Sequence, residues 1–210
     1  MCDILPGILE EDWDAIEKKL ELVKPFAKAI HVDLLDGEFA SNISFLDPKP
    51  FAKYSKDFLL ELHMMVKEPI DYLDAWANVG FRRFVGHVEH MSDQAAFVTK
   101  GEELGEVGLA IDANTPLSAI TVPFIDLDAI LVMTVKAGFS GQAFMPENLE
   151  KVKALREKTT LPIEIDGGVN DGHLRLAKKA GASRFVATSF LFKSESPEKQ
   201  YRLLQETCKS

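Results

Sequence analysis

The chain has 210 residues, 46% hydrophobic and 27% charged, with a formal net charge of −9. This balance fits one well-buried core over 1–210, and the acidic charge without a Lys/Arg stripe argues against a nucleic-acid binder while allowing an anionic small molecule in a local pocket. No apolar run approaches a membrane span and the start has no signal-like pattern, so a cytoplasmic protein with no membrane partner is expected.

In chain order, residues 4–9 read as a strand, and Trp13, Ile16, Leu20 and Val23 follow at helical spacing. A second strand holds Ala29 to Leu35, a helix is expected near 50–56, and a third strand spans 58–64. Pro69 opens and Gly80 closes the next helix, a fourth strand covers 83–89, and Ser92 or Asp93 caps a helix through Lys100. The fifth strand, 107–112, leads to Thr115-Pro116 as the cap of a short helix, and the sixth, 129–135, to a glycine-rich loop. Pro146 starts a helix with Leu149, Val152 and Leu155 inward; strand seven covers 161–166, a helix runs from about 170 to Gly181, strand eight is 184–187, and a last helix covers 197–207.

Eight strand-and-helix units of roughly 26 residues each predict an α/β fold, a single-domain (β/α)8 TIM barrel. A doubly wound sheet fits less well, because Pro6-Gly7-Ile8 is no GxGxxG turn. His31, Asp33, His63, His87, Glu89, Asp112 and Asp166 fall toward strand C-terminal ends, where barrel active sites assemble, and the N-terminal halves read as apolar. Cys2 and Cys208 stand far apart without metal-ligand spacing, so reduced thiols are expected.

Alternation along a strand points His31 and Asp33 to one face, a geometry that suits two ligands of one divalent ion. Alone, His-x-Asp more often faces water or joins a hydrogen-bond network. Recurrence at two further strand ends, Leu62-His63-Met64-Met65 and Ile163-Glu164-Ile165-Asp166, supplies two imidazoles and two carboxylates in all. The loop after strand six carries Gly138, Ser140 and Gly141, whose backbone amides can approach an anion, and Gly167, Gly168, Thr188 and Ser189 lie in neighbouring loops. His87 and Glu89 alternate on strand four and suit a supporting network, whereas His90 and His173 are expected to be exposed.

The ordered set His31-Val32-Asp33-x-x-Asp36-Gly37, His63-x-Met65-Val66, Met133-Thr134-Val135, Gly138-Phe139-x-Gly141-Gln142 and Asp166-Gly167-Gly168-Val169 resembles the ribulose-phosphate 3-epimerases nearly end to end. The resemblance implies interconversion of D-ribulose 5-phosphate and D-xylulose 5-phosphate, with His31, Asp33, His63 and Asp166 holding one divalent ion per chain. Zinc leads, with manganese, iron or cobalt as alternatives. It implies Asp33 and Asp166 as the two proton carriers at C3, through an enediolate. It also implies a pocket lined by Gly7, Leu35, Met65 and Met133, a phosphate subsite from Gly138, Ser140, Gly141, Gly167, Gly168, Thr188 and Ser189, and a homo-oligomer with a small sugar-phosphate substrate.

Departures from the family pattern cluster around substrate contacts: Gly7 for serine, Leu35 for methionine, Ala137 for proline, Thr188 for glycine and Phe190 for alanine. Thr188 is expected to offer its hydroxyl to the phosphate. The alternatives are a hexulose-phosphate epimerase acting on a substrate such as allulose 6-phosphate, or a non-catalytic sugar-phosphate-binding barrel. A related lyase or decarboxylase fits poorly, since no lysine stands between Leu34 and Asp36.

Overall fold

In the computed structural model, which describes residues 2–139 and 141–209, eight parallel strands close on themselves in sequence order. They are β1 (Asp3–Ile8), β2 (Ala29–Leu35), β3 (Leu59–Met65), β4 (Phe81–His87), β5 (Glu106–Ile111), β6 (Ala129–Met133), β7 (Ile163–Asp166) and β8 (Arg184–Ala187). Pairing of β1 with β8 completes the ring. Outside lie α1 (Trp13–Val23), α2 (Leu73–Asn78), α3 (Gln94–Glu102), α4 (Leu149–Arg156), α5 (Asp171–Ala180), α6 (Ser189–Phe192) and α7 (Pro197–Lys209). The expected barrel is the observed one.

Local chemistry sets the helix starts. Asp12, Asp93 and Asn170 each accept a hydrogen bond from the backbone N–H three residues on, capping α1, α3 and α5. Three connections differ from expectation. Residues 49–54 form a 3-10 turn between Pro48 and Tyr54, the segment after β5 has only the 3-10 turns Leu117–Ala119 and Phe124–Asp126, and α6 is an additional short helix. Pro123 limits any helix begun at Pro116, because it has no N–H to donate and its ring clashes with the preceding turn. Strand four ends at His87, and Glu89 sits in the following 3-10 turn.

Alternation along the strands makes two separate apolar regions. Even-numbered residues such as Ile30, Val32, Leu34, Leu60 and Leu62 pack outward under the helices, while Leu35, Met65, Val85, Ala110, Leu131 and Met133 fill the upper barrel interior. The lower interior is not apolar, contrary to the sequence expectation. Glu61, Arg83, Glu106, Glu164 and Arg184 face one another there, with Arg83 Nε 2.6 Å and Arg184 Nη2 3.1 Å from Glu106 Oε2. Each charge stands an even number of residues from an inward-facing one, so closure carries them all to the axis.

Closure also corrects the cysteine expectation. Since β1 lies beside β8 and α7 packs near β1, the two chain ends meet, and Cys2 and Cys208 form a disulfide with Cα atoms 5.8 Å apart. Sequence spacing could not show it. Among the described residues, no helix is long and apolar enough to cross a membrane. Opening the bridge, by reduction or by the Cys2→Ser/Cys208→Ser variant, should lower unfolding free energy by about 2–4 kcal/mol in a urea titration. Thiol titration of the denatured, unreduced protein should find no free cysteine.

Candidate active site

Strand register assembles the centre. Asp33 on β2 is the Cα partner of His63 on β3, and Met133 on β6 that of Asp166 on β7, so side chains from opposite parts of the ring converge at one level. One donor atom each from His31, Asp33, His63 and Asp166 lies within 4.8 Å of the others. Asp33 Oδ1 stands 2.8 Å from His63 Nδ1 and 3.2 Å from His31 Nε2, and Asp166 Oδ2 is 3.7 Å from His63 Nδ1. These separations bracket the edge of about 3.3 Å expected for four N and O ligands tetrahedrally around zinc. His31 and His63 are fully buried and Asp33 is nearly so.

Each imidazole is held by its second nitrogen, the arrangement metal-binding histidines need. His31 Nδ1–H donates to Glu61 Oε1 at 2.6 Å, because Glu61 is its register partner on β3. For His63 the tautomer follows from a chain of contacts. Glu89 accepts from His87 Nδ1–H at 2.9 Å, which leaves His87 Nε2 to accept from His63 Nε2–H at 2.9 Å. The Nδ1 lone pair of His63 is thereby turned toward the Asp33 carboxylate, two electron-rich atoms that a cation between them would reconcile. The donor set therefore fits a divalent ion.

The charges answer to burial and to one another. Burial pushes the Asp166 carboxyl up to about 6, with the charge of Asp33 acting in the same direction. Burial would also raise Asp33, but in the metal-free centre the imidazoles of His31 and His63, when their facing nitrogens carry protons, hold it well below the usual carboxylate range. Burial lowers His87, while Glu89 is drawn down to about 2 by His87 against its own desolvation. Below the centre, burial and the neighbouring charge of Glu61 push Glu164 up to about 7. Its Oε1 lies 3.2 Å from His31 Nδ1, yet that N–H is committed to Glu61, and neither Glu164 oxygen has a hydrogen-bond partner among the described residues.

Above the cluster opens a cavity of about 290 Å³. Asp33, Met65, Met133, Gly138, Gly141, Asp166, Gly167, Gly168, Thr188 and Ser189 line it. His31 and His63 lie beneath, Leu35 is buried behind the wall beside Met65, and Ser140 lies outside the described residues. A side chain on Gly167 would stand 2.6 Å from Val135 Cγ2, and its φ of +116° favours glycine independently.

Gly7 does not line this cavity; Thr188 stands in front of it. A Cβ on Gly7 would overlap Thr188 Oγ1 and come within 2.8 Å of Val186 Cγ1, so the threonine hydroxyl occupies the space of a missing side chain on β1. Two departures that look independent in sequence are one packing unit. Two supports also escaped the sequence reading. His173, expected to be exposed, is half-buried against the Phe144 ring and its Nδ1–H donates to the Gly168 carbonyl at 2.6 Å. Buried Thr134 places its hydroxyl 2.6 Å from the Gly167 carbonyl oxygen and 2.9 Å from that of Asp166. The His-to-loop spacing and the Met133-Thr134-Val135 run were the available signals.

Fold and site together define a (β/α)8-barrel enzyme with a buried two-histidine, two-aspartate centre beneath a polar cavity. Residues 3–192 match the model of the ribulose-phosphate 3 epimerase family, and the chain belongs to that family, as an isomerase of the epimerase type. It is 36% identical over 203 residues to a ribulose-phosphate 3-epimerase of Schizosaccharomyces pombe, covering 93% of this chain and 89% of that protein. It is 33% identical over 204 residues to the cytoplasmic isoform of Oryza sativa, covering 92% and 89%. Among solved structures, 3-keto-L-gulonate-6-phosphate decarboxylase from Vibrio cholerae superposes with a TM-score of 0.74 over 100% of this chain and 98% of that one; at 14% identity the likeness is one of fold.

Linkage gives the sign of one pH effect. Folding raises the Glu164 pKa from 4.5 to about 7, so the stabilisation present below pH 4.5 is lost as the pH rises through about 7. In calorimetry of the metal-free protein, the melting temperature should fall across this window more steeply for the parent than for Glu164→Gln. For the packing unit, Gly7→Ala should cost about 1–3 kcal/mol of stability, and Thr188→Gly in the same chain should recover most of it. A denaturant double-mutant cycle with no coupling between the two positions would show that the hydroxyl does not fill that space.

Proposed function

We propose that the protein interconverts D-ribulose 5-phosphate and D-xylulose 5-phosphate by proton transfer at C3, with Asp33 and Asp166 as the two carriers. The observation behind this reading is the convergence of both carboxylates with two braced imidazoles at the base of one cavity. Inversion needs a proton to leave one face and another to arrive on the opposite face. Asp33 on β2 and Asp166 on β7 approach from different sides of the ring, which suits one carboxylate per face.

His31, Asp33, His63 and Asp166 would hold one divalent ion, with zinc favoured by four-coordinate N and O ligation and manganese, iron or cobalt as alternatives. When bound, such a cation supplies Lewis-acid stabilisation of the negative charge that develops on the substrate oxygens as the C3 proton leaves. Met65 and Met133 give the reacting carbons an apolar wall that limits water. Gly138, Gly141, Gly167, Gly168, Thr188 and Ser189 would form the phosphate end, to which the family resemblance adds Ser140, with Gly7 and Leu35 shaping the wall from behind. We place the protein in the cytosol, by similarity to the rice isoform.

A coupled assay on ribulose 5-phosphate, with allulose 6-phosphate as comparator, tests the substrate; chelation should abolish turnover and zinc restore it. Asp33→Asn and Asp166→Asn should each lower kcat by about 10²–10⁴-fold. In heavy water the product should carry deuterium at C3, and product formed without exchange would overturn the two-carrier scheme.

A further inference from the structure

The divalent ion proposed at the base of the cavity would be offset by Asp33 and Asp166, and none of the described residues lining the cavity is cationic. A phosphate monoester brings between one and two negative charges at neutral pH. Backbone amides and hydroxyls can orient such a group, but they do not offset its charge. A chain of net charge −9 makes that deficit larger. A phosphate end built only from the lining residues would be short of positive charge.

Lys193 stands just outside the lining. It is the residue that ends α6, one turn after Ser189, and its side chain reaches toward the loop that follows β6. A Cβ built at Gly141 would meet Lys193 Nζ at 3.3 Å and Ser189 Oγ at 3.5 Å, so the ammonium and the hydroxyl flank one point at the cavity wall. Gly141 keeps that approach open because it has no side chain. The loop itself is braced, since Gln142 Nε2 donates to the carbonyls of Lys136 and Phe139 at 2.6 and 2.8 Å. Among the described residues no carboxylate lies within ion-pair distance of Lys193, so its charge is not already neutralised by an acidic side chain.

We infer that Lys193 is the cationic arm of the phosphate subsite and selects phosphorylated over free ketoses. The inference rests on the epimerase reading for the identity of the substrate, but not for the presence of an anion site. An ammonium on a flexible stem suits the task, because three rotatable donors can follow a phosphate whose other oxygens are fixed by the glycine loops. Its place outside the lining, on the loop side of the cavity, assigns it to binding and leaves the proton steps untouched.

The test uses the zinc-loaded full chain, inorganic phosphate as probe, and two variants. In calorimetric or phosphorus NMR titration, Lys193→Met should weaken phosphate binding roughly tenfold, and Lys193→Arg should stay within about twofold of the parent. With ribulose 5-phosphate, Lys193→Met should raise KM by a similar factor at unchanged kcat, and the rise of KM with added salt should flatten. Unchanged phosphate affinity in Lys193→Met, equal losses in Met and Arg variants, or no phosphate binding by the parent would each overturn the assignment. A parent that binds phosphate but does not turn over ribulose 5-phosphate would refute the epimerase reading, while the titration would still decide the role of Lys193.

Discussion

The Asp33 carboxylate stands between two buried imidazoles, and almost everything else about the centre follows from holding it there. Oxygen–nitrogen separations of 2.8 and 3.2 Å are set by the β2–β3 register, in which Asp33 lies beside His63 and His31 beside Glu61. A one-residue slip of either strand would turn its own two side chains toward the helices. The outward-facing residues Ile30, Val32, Leu34, Leu60 and Leu62 make such a slip costly, since each would trade a dry contact with the helices for the polar interior. Apolar packing outside the barrel thus fixes ligand geometry inside it.

The same alternation explains why the floor of the centre is charged. Glu61, Glu164, Arg83 and Arg184 are buried where apolar side chains would give a tighter core, with the more exposed Glu106 pairing both arginines, and buried ions cost more to desolvate than their pairing usually returns. Their position favours a role in orientation. Glu61 turns His31, as Glu89 through His87 turns His63, so each ligand nitrogen faces the cavity with its partner nitrogen already engaged. Glu164 is the uncompensated carboxyl in this set, and retention of a proton is the cheapest way to bury it.

What was legible in the sequence is what depends on near neighbours. The period of strand and helix, the cap at Asp93, and the pairing of His31 with Asp33 on one face all arise within a few residues, and the barrel followed from their repetition. What was not legible depends on closure. The disulfide, the charged floor, the Thr188 hydroxyl over Gly7 and the reach of Lys193 to Gly141 each join segments that meet only when β8 returns to β1 or when neighbouring loops cross the mouth. His173 failed for a related reason: its place at the start of α5 suggests solvent, but the loop after β7 brings Gly168 and Phe144 against it.

These two kinds of constraint divide the site. The candidate proton carriers and metal ligands sit on strand ends, where register, tautomer and packing leave each group one position. The proposed phosphate side sits on loops after β6, β7 and β8, where Thr188 can supply volume that Gly7 lacks and where a lysine one turn beyond Ser189 can approach an anion. A change of partner on the loop side alters charge and shape at the far end of the substrate. It does so without shifting the carbon between the two aspartates, because the loops are joined to the centre mainly through backbone carbonyls that Thr134 and His173 hold in place. Of the departures from the family pattern, Ala137, Thr188 and Phe190 fall on the loop side, where the physical cost of varying is lowest, Gly7 and Leu35 lie near strand ends outside the cavity lining, and the four candidate ligands fall where that cost is highest.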